Sequence, residues 1–176
     1  MIPGVVIAIL TFPGVIAHEV AHLLFCRLRR VAVLDACFFR FGNPTGYVIH
    51  EPITNFTTAF LVAVGPFLVN SLLCIAICLP AFVPLRVFNQ PDVLAFVLFW
   101  LGISIGMHAF PSKQDALSLW QAAKVSARRL DPLAIVSLPL VVVMYVANIL
   151  SVVWLDCLYG LAIGGGLPHL LFKWLL

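Results

Sequence analysis

The stretch from Val5 to Phe25 reads VVIAILTFPGVIAHEVAHLLF. It is long and apolar enough for a membrane-embedded helix, yet it carries two imidazoles and a carboxylate. Ionisable groups are expensive in hydrocarbon, so their presence in such a run marks a functional site. His18 and His22 stand at i and i+4 and share one helix face, where they can grip one zinc ion. Glu19, about 100° around the helix, is placed to act on water at that ion. Pro13-Gly14 interrupts the run and either kinks it or begins a fresh helix with Pro13 in the first turn.

The rest of the chain suits that setting. Of 176 residues, 63% are hydrophobic and 10% charged, with a mean hydropathy of +1.13; a soluble domain carries about 25% charged residues. The composition reads as an all-α polytopic membrane protein with a single membrane-embedded domain over 1–176. Five apolar segments stand out: Val5–Phe25, Phe56–Phe82, Val93–Phe110, Leu133–Leu155 and Leu158–Leu175. They amount to about five transmembrane helices, although Gly164-Gly165-Gly166 and Pro168 break the pattern of the last. The net charge of +3 comes from loop arginines and lysines and does not suggest a nucleic-acid partner. Met1-Ile2-Pro3-Gly4 has neither a basic n-region nor a small-residue cleavage site, so no removable signal peptide is expected. Cys26, Cys37, Cys74, Cys78 and Cys157 are scattered and read as packing residues.

Between the first two segments, Val31 to Glu51 has a different character. Val31-Ala32-Val33-Leu34, Cys37-Phe38-Phe39-Arg40-Phe41 and Tyr47-Val48-Ile49 are rich in β-formers, and Gly42-Asn43-Pro44-Thr45-Gly46 is a dense turn signal. The expectation is a small β-hairpin at the membrane surface, with an edge able to receive an extended peptide by strand addition. Arg27, Arg29, Arg30 and Arg40 follow the first segment, and Lys113, Lys124, Arg128 and Arg129 follow the third; only Arg86 lies between the second and third. The positive-inside rule then puts the N-terminus outside and the connections 26–55 and 111–132 in the cytoplasm. The hairpin falls at the cytoplasmic face, and His22 lies about one turn from that end of its helix, within reach of water.

A catalytic zinc takes three protein ligands and keeps a fourth position open, so a third donor is sought among the seven acids. Glu19 is the base. Asp92 and Asp156 fall on the opposite side of the membrane in this topology. Asp131 precedes Pro132 at the start of a span, an N-cap position. Asp115 follows the Pro111 break at the cytoplasmic end of the third span, at nearly the depth of His22, and is the choice. Asp35 and Glu51 are the alternatives, and for Asp115 itself the competing role is to cap a helix over Ala116–Arg128.

These residues together resemble the site-2 protease family of intramembrane zinc metalloproteases. Three elements match in order: HExxH as His18, Glu19 and His22; a glycine-proline motif as Gly65-Pro66-Phe67-Leu68-Val69-Asn70; and a Pro-containing break before an aspartate, Pro111 to Asp115. The resemblance covers about residues 10–120 and implies a catalytic core there, with additional helices over 133–175, and a prokaryotic plasma membrane. It also implies that Asn70 lies near the site, to bind the oxyanion or orient substrate. One departure is clear. The family pattern has an asparagine and an aspartate-glycine pair at the third motif, whereas this chain reads Met107-His108-Ala109-Phe110-Pro111-Ser112-Lys113-Gln114-Asp115-Ala116, which marks a divergent branch.

The expected activity is zinc-dependent hydrolysis of a peptide bond in a membrane-associated protein near the cytoplasmic face. Zinc polarises the scissile carbonyl and acidifies water, and Glu19 shuttles the proton to the leaving amine. The hairpin at Gly46-Tyr47-Val48 would clamp an unwound substrate as an added strand. His108, at the end of span three, would be a hydrogen-bond donor behind the metal ligands or an oxyanion stabiliser, with a plain interfacial histidine as the competing and slightly favoured role, and Gly65 a point of close helix approach. Two other classes remain open: a catalytically inactive zinc-binding membrane protein, for which Glu19→Gln would be harmless, and a transporter or channel with polar residues lining a pathway. The partners in the leading reading are a membrane protein or peptide substrate and the bilayer.

Overall fold

Pro13 sits in the first turn of a helix of its own. A short helix α1 (Gly4–Leu10) and the helix α2 (Phe12–Leu28) meet at Thr11 with a bend of 89°, because the proline ring and its missing N–H fit an N-terminal turn and not a helix interior. The computed structural model describes residues 4–88 and 92–175, so Met1, Ile2 and Pro3, on which the signal-peptide expectation rests, lie outside the described residues, as does the side chain of Arg86. Among the described residues the chain is mostly helical, with one two-stranded sheet.

The end of α2 turns the chain back on itself. Arg30 takes a left-handed backbone (φ 55°), with Val31 N–H on the Cys26 carbonyl and Arg30 N–H on the Arg27 carbonyl, a Schellman ending that satisfies the last helical carbonyls. The returning chain forms β1 (Val33–Cys37) and β2 (Tyr47–His50), paired antiparallel from Val33 opposite His50 to Cys37 opposite Tyr47. A hairpin was expected here, but Phe38–Phe41 belongs to its loop and not to a strand. Its position also differs from expectation. The hairpin does not lie on the end of the bundle but runs down the side of α2, with Phe39 packed on Phe12 at 5.7 Å between ring centroids and Gly46 against Val15 and Glu19. At 1.5 Å per residue, Phe12 is about 24 Å along α2 from Leu28.

α3 (Phe56–Phe82) is the axis of the fold, opened by the Asn55 side chain, which accepts from Thr58 N–H, and continued by a π-helical turn, Val83–Val87. α4 (Val93–Met107) is capped by Asp92, runs back beside α3 and ends at His108. α5 (Lys113–Arg128) and α6 (Pro132–Leu150) form an antiparallel pair, with Trp120 stacked on Tyr145 and Asn148 donating to the Pro111 carbonyl. Asp131 caps α6 through Leu133 and Ala134 N–H, as its place before Pro132 suggested. Leu119 and Ala123 of α5 and Ala134, Val141 and Met144 of α6 close a core against Phe56, Ala63 and Val64 of α3.

The last apolar segment is one helical run, α7 (Leu155–Leu161), a π-helical turn Ala162–Gly166, and α8 (Leu167–Leu175). Gly164-Gly165-Gly166 therefore loosens the helix without breaking it, and Gly164 lets it pack closely, since a Cβ there would stand only 3.0 Å from Cys78 Sγ and 3.1 Å from Ile103 Cγ1. Its direction departs from the alternating topology read from hydropathy. Tyr159 bonds Ser71, the Gly160 carbonyl meets Cys74, and Phe172 stacks on Phe82, so α7 and α8 run parallel to α3. α6 runs the same way along the first turns of α3, so the two segments follow one another instead of reversing. Asp156 accordingly lies toward the α4 C-terminal end, where Gly160 packs on Met107, and not at the opposite end.

Three stretches are long and apolar enough to cross a membrane, Phe56–Leu85, Pro132–Val153 and Leu155–Trp174, with the bent α1–α2 pair a fourth if taken as one span. α4 is apolar but has 15 residues, so five full-length spans are not present among the described residues.

Candidate metal centre

The two histidines of α2 are nearly enclosed, His18 at 7% and His22 at 6% exposure, with Glu19 beside them at 9%. Their rings meet edge to face, and the Nε2 atoms are 3.2 Å apart. The third donor comes from α5. Asp115 places Oδ2 3.4 Å from His22 Nε2, and one donor atom from each of His18, His22 and Asp115 lies within 4.8 Å of the others. Ligands about 2.05 Å from a tetrahedral ion stand about 3.3 Å apart, so two edges of this triangle already have the spacing of a zinc site. The set is two nitrogens and one carboxylate oxygen, which suits zinc or another borderline divalent ion.

Local sequence explains why Asp115 is there. The N-cap of α5 is Ser112, whose Oγ accepts from Asp115 N–H and whose hydroxyl donates to the Asp115 carboxylate. Ser112 and Asp115 thus stand three apart in the manner of a capping box, with the acidic group in the first turn, where the helix dipole favours it. Burial would raise the Asp115 carboxyl, but the His22 hydrogen bond and charge and the Ser112 hydroxyl outweigh it and hold the group well below the usual carboxylate range. It is ionised at neutral pH, as a ligand must be. Ser112 was not singled out from the sequence, although a serine three residues before an acid was the available signal. The alternatives lie elsewhere: Asp35 accepts from the Tyr47 hydroxyl at 2.9 Å on the exposed hairpin, and Glu51 is exposed just past β2.

Backbone carbonyls orient both histidines. His18 Nδ1 lies 2.7 Å from the His108 carbonyl oxygen, so it carries the proton and leaves the Nε2 lone pair facing the cluster. His22 has the Val62 carbonyl as a backbone hydrogen-bond partner; Pro66, four residues on, has no N–H to occupy that carbonyl. The glycine-proline pair contributes twice, since a Cβ on Gly65 would strike the Phe25 ring, and that close approach sets α3 against α2. Gly14 does the same for α2 and α4, where a Cβ would meet the Ser104 carbonyl and His108 Nδ1.

A pocket of about 480 Å³ opens beside the cluster, lined by Glu19, His22 and Asp115, by Gly46 to His50 of the hairpin, and by Ala59, Val62 and Ala63 of α3. α5 forms the facing wall through Ser118, Leu119 and Ala122, so this helix covers the site. Of the expected residues, Gly46, Tyr47 and Val48 are brought to the pocket. Asn70 and His108 are not among its lining. Asn70 is fully buried, with Nδ2 donating to the His108 carbonyl at 2.8 Å, and the His108 ring turns to the Ser104 carbonyl. Their connection to the cluster is therefore through the His108 backbone and His18.

Comparison with protein-family models, with curated proteins and with solved structures found no match. The functional reading rests on the geometry.

Proposed function

We propose that this chain is an intramembrane zinc metalloprotease of the site-2 protease type, which hydrolyses a peptide bond of a membrane-associated protein near the basic end of the bundle. The observation that carries the reading is the convergence of His18, His22 and Asp115 with Glu19 at one pocket wall. A zinc ion held by the three donors would supply a Lewis acid for the scissile carbonyl and lower the pKa of water. Three protein donors suit a catalytic centre, because structural zinc sites take four. Glu19 is one residue from His18 and faces the pocket, where its carboxylate can take a proton from water and return it to the departing amine. The pocket lies between β2 and α3. β2 has one neighbour, β1, so its other edge has backbone groups available to an extended substrate, which would pair as a third strand. Small side chains opposite it, Ala59, Ala63 and Ala122, leave room for an extended backbone.

The test is zinc content of the full chain purified in detergent, with His22→Ala, Asp115→Ala and Glu19→Gln. The expected result is about one zinc per chain in wild type and in Glu19→Gln and a large loss in the two ligand variants. Membrane-spanning peptides carrying Gly, Pro or Asn within the segment would be cut by wild type alone, read by mass spectrometry. A wild type that takes up no zinc, or Glu19→Gln that cuts as wild type does, refutes the proposal.

A further inference from the structure

Asn70 lies in the middle of α3 with no exposed surface, and half of its hydrogen-bonding capacity is idle. Nδ2 donates to the His108 carbonyl at 2.8 Å, whereas Oδ1 is buried without a partner among the described residues. Turning the amide over would set Oδ1 against the same carbonyl oxygen, acceptor against acceptor, so the donating orientation is fixed. A buried carbonyl left unsatisfied costs the fold, so what holds this amide in place is the bond that Nδ2 makes to the His108 carbonyl.

The acceptor of that bond is unusual. α4 ends at Met107 with His108 as its cap, and a helix-end carbonyl has no N–H from a following turn, so nothing in the helix aims it. It is aimed by two side chains: Asn70 Nδ2 from α3 and His18 Nδ1 at 2.7 Å from α2. Three helices thus meet on one oxygen. Because a carbonyl can only accept, His18 must present Nδ1–H to it, and its Nε2 then faces His22 Nε2 at 3.2 Å.

We infer that Asn70 is a positioning residue for the metal centre: by donating to the His108 carbonyl it aims that oxygen at His18 Nδ1, fixing the His18 tautomer and freeing Nε2 for the ion. The inference rests on the zinc-binding reading proposed above. It gives Asn70 no contact with substrate or reacting atoms; its effect passes through one backbone carbonyl and one imidazole. Outer partners of this kind set ligand orientation and basicity.

Asn70→Leu separates this role from a merely structural one. Leucine is close in volume, cannot donate, removes the unpartnered Oδ1, and leaves the His108 carbonyl bonded to His18, so it orphans no polar group. The expected result, by chelator competition on the full chain in detergent, is zinc affinity about 10–100-fold weaker. Thermal stability of the zinc-free protein should be equal to or above wild type. Ser71→Ala is the neighbouring control: its hydroxyl serves the Phe67 carbonyl and Tyr159, and zinc affinity should not change. Asn70→Leu with wild-type zinc affinity overturns the proposal, and so does loss of stability and affinity together. A second readout needs no variant. Imidazole 15N shifts of His18 in zinc-free wild type should show Nδ1 protonated, and a proton on Nε2 overturns the proposal whether or not Asn70→Leu folds. Failure of the wild type itself to bind zinc is the distinct outcome that removes the metal reading.

Discussion

Gly46→Ala tests whether the hairpin is seated on the α2 site. A methyl at position 46 would stand 2.8 Å from Glu19 Cγ, 3.0 Å from Val15 Cγ1 and 3.1 Å from the Phe38 carbonyl oxygen, where carbon contacts are comfortable at about 3.5–4.0 Å. The three obstacles lie on two bodies. Lifting the hairpin away from α2 relieves Glu19 and Val15 but not Phe38, which belongs to the hairpin itself. Rotating Glu19 aside relieves one contact of three and disturbs the proposed base. The methyl therefore forces the hairpin both to separate from α2 and to open, and overpacking of this degree costs about 1–3 kcal/mol. For a chain of this size each kcal/mol is worth about 2–4 °C in melting temperature. The assay is thermal unfolding of the full chain in detergent alongside Gly42→Ala, a change in the same loop where a Cβ meets nothing nearer than 3.7 Å. Gly46→Ala should melt several degrees lower while the zinc uptake proposed above is unchanged, since none of the three candidate metal donors is touched. Equal melting temperatures for the two variants would refute the seating of the hairpin on Glu19.

Two further outcomes follow from the packing. Gly65→Ala should destabilise by about 1–3 kcal/mol, because the Phe25 ring fills the space a Cβ would need, whereas Gly165→Ala, with nothing within 4 Å, should be neutral or mildly stabilising; melting temperatures in one detergent compare them. Asp131→Ala removes the side-chain oxygen that accepts from Leu133 and Ala134 N–H and should cost about 0.5–2 kcal/mol with zinc content unchanged, as measured by unfolding and metal analysis together.

What was legible from sequence was local. HExxH declares its own geometry, since helical spacing alone puts His18 and His22 on one face. Pro13, Asp131 and the turn residues around Pro44 act on their immediate neighbours and could be read for that reason. The grouping of Asp115 with the histidines was reached by elimination. What could not be read is where separate elements lie against one another. Gly46 has the composition of a turn glycine, and nothing in its surroundings says that the missing side chain makes room for Glu19. The run from Leu133 to Leu175 is apolar but for a few residues such as Asp156, His169 and Lys173, and hydropathy reports that a segment avoids water without saying which way it points. The connection 151–154 carries no cation by which to orient it. Asn70 could be noticed four residues after Pro66, but its partner lies on α4, thirty-eight residues away.

The shortness of two helices has its own consequence for the surrounding lipid. α2 has 17 residues and α4 has 15, about 25 and 22 Å of rise, against a hydrocarbon thickness of about 30 Å. If the chain lies in a membrane as proposed above, a bilayer closing around that side of the molecule would have to thin to meet them, at a modest cost for each ångström of mismatch. Thinning brings the headgroups, and the water among them, down toward His18 and Glu19 from outside the protein. On the membrane reading proposed above, the lipid would then share in hydrating the site, and acyl-chain length would become a variable of the proposed hydrolysis as well as of the membrane.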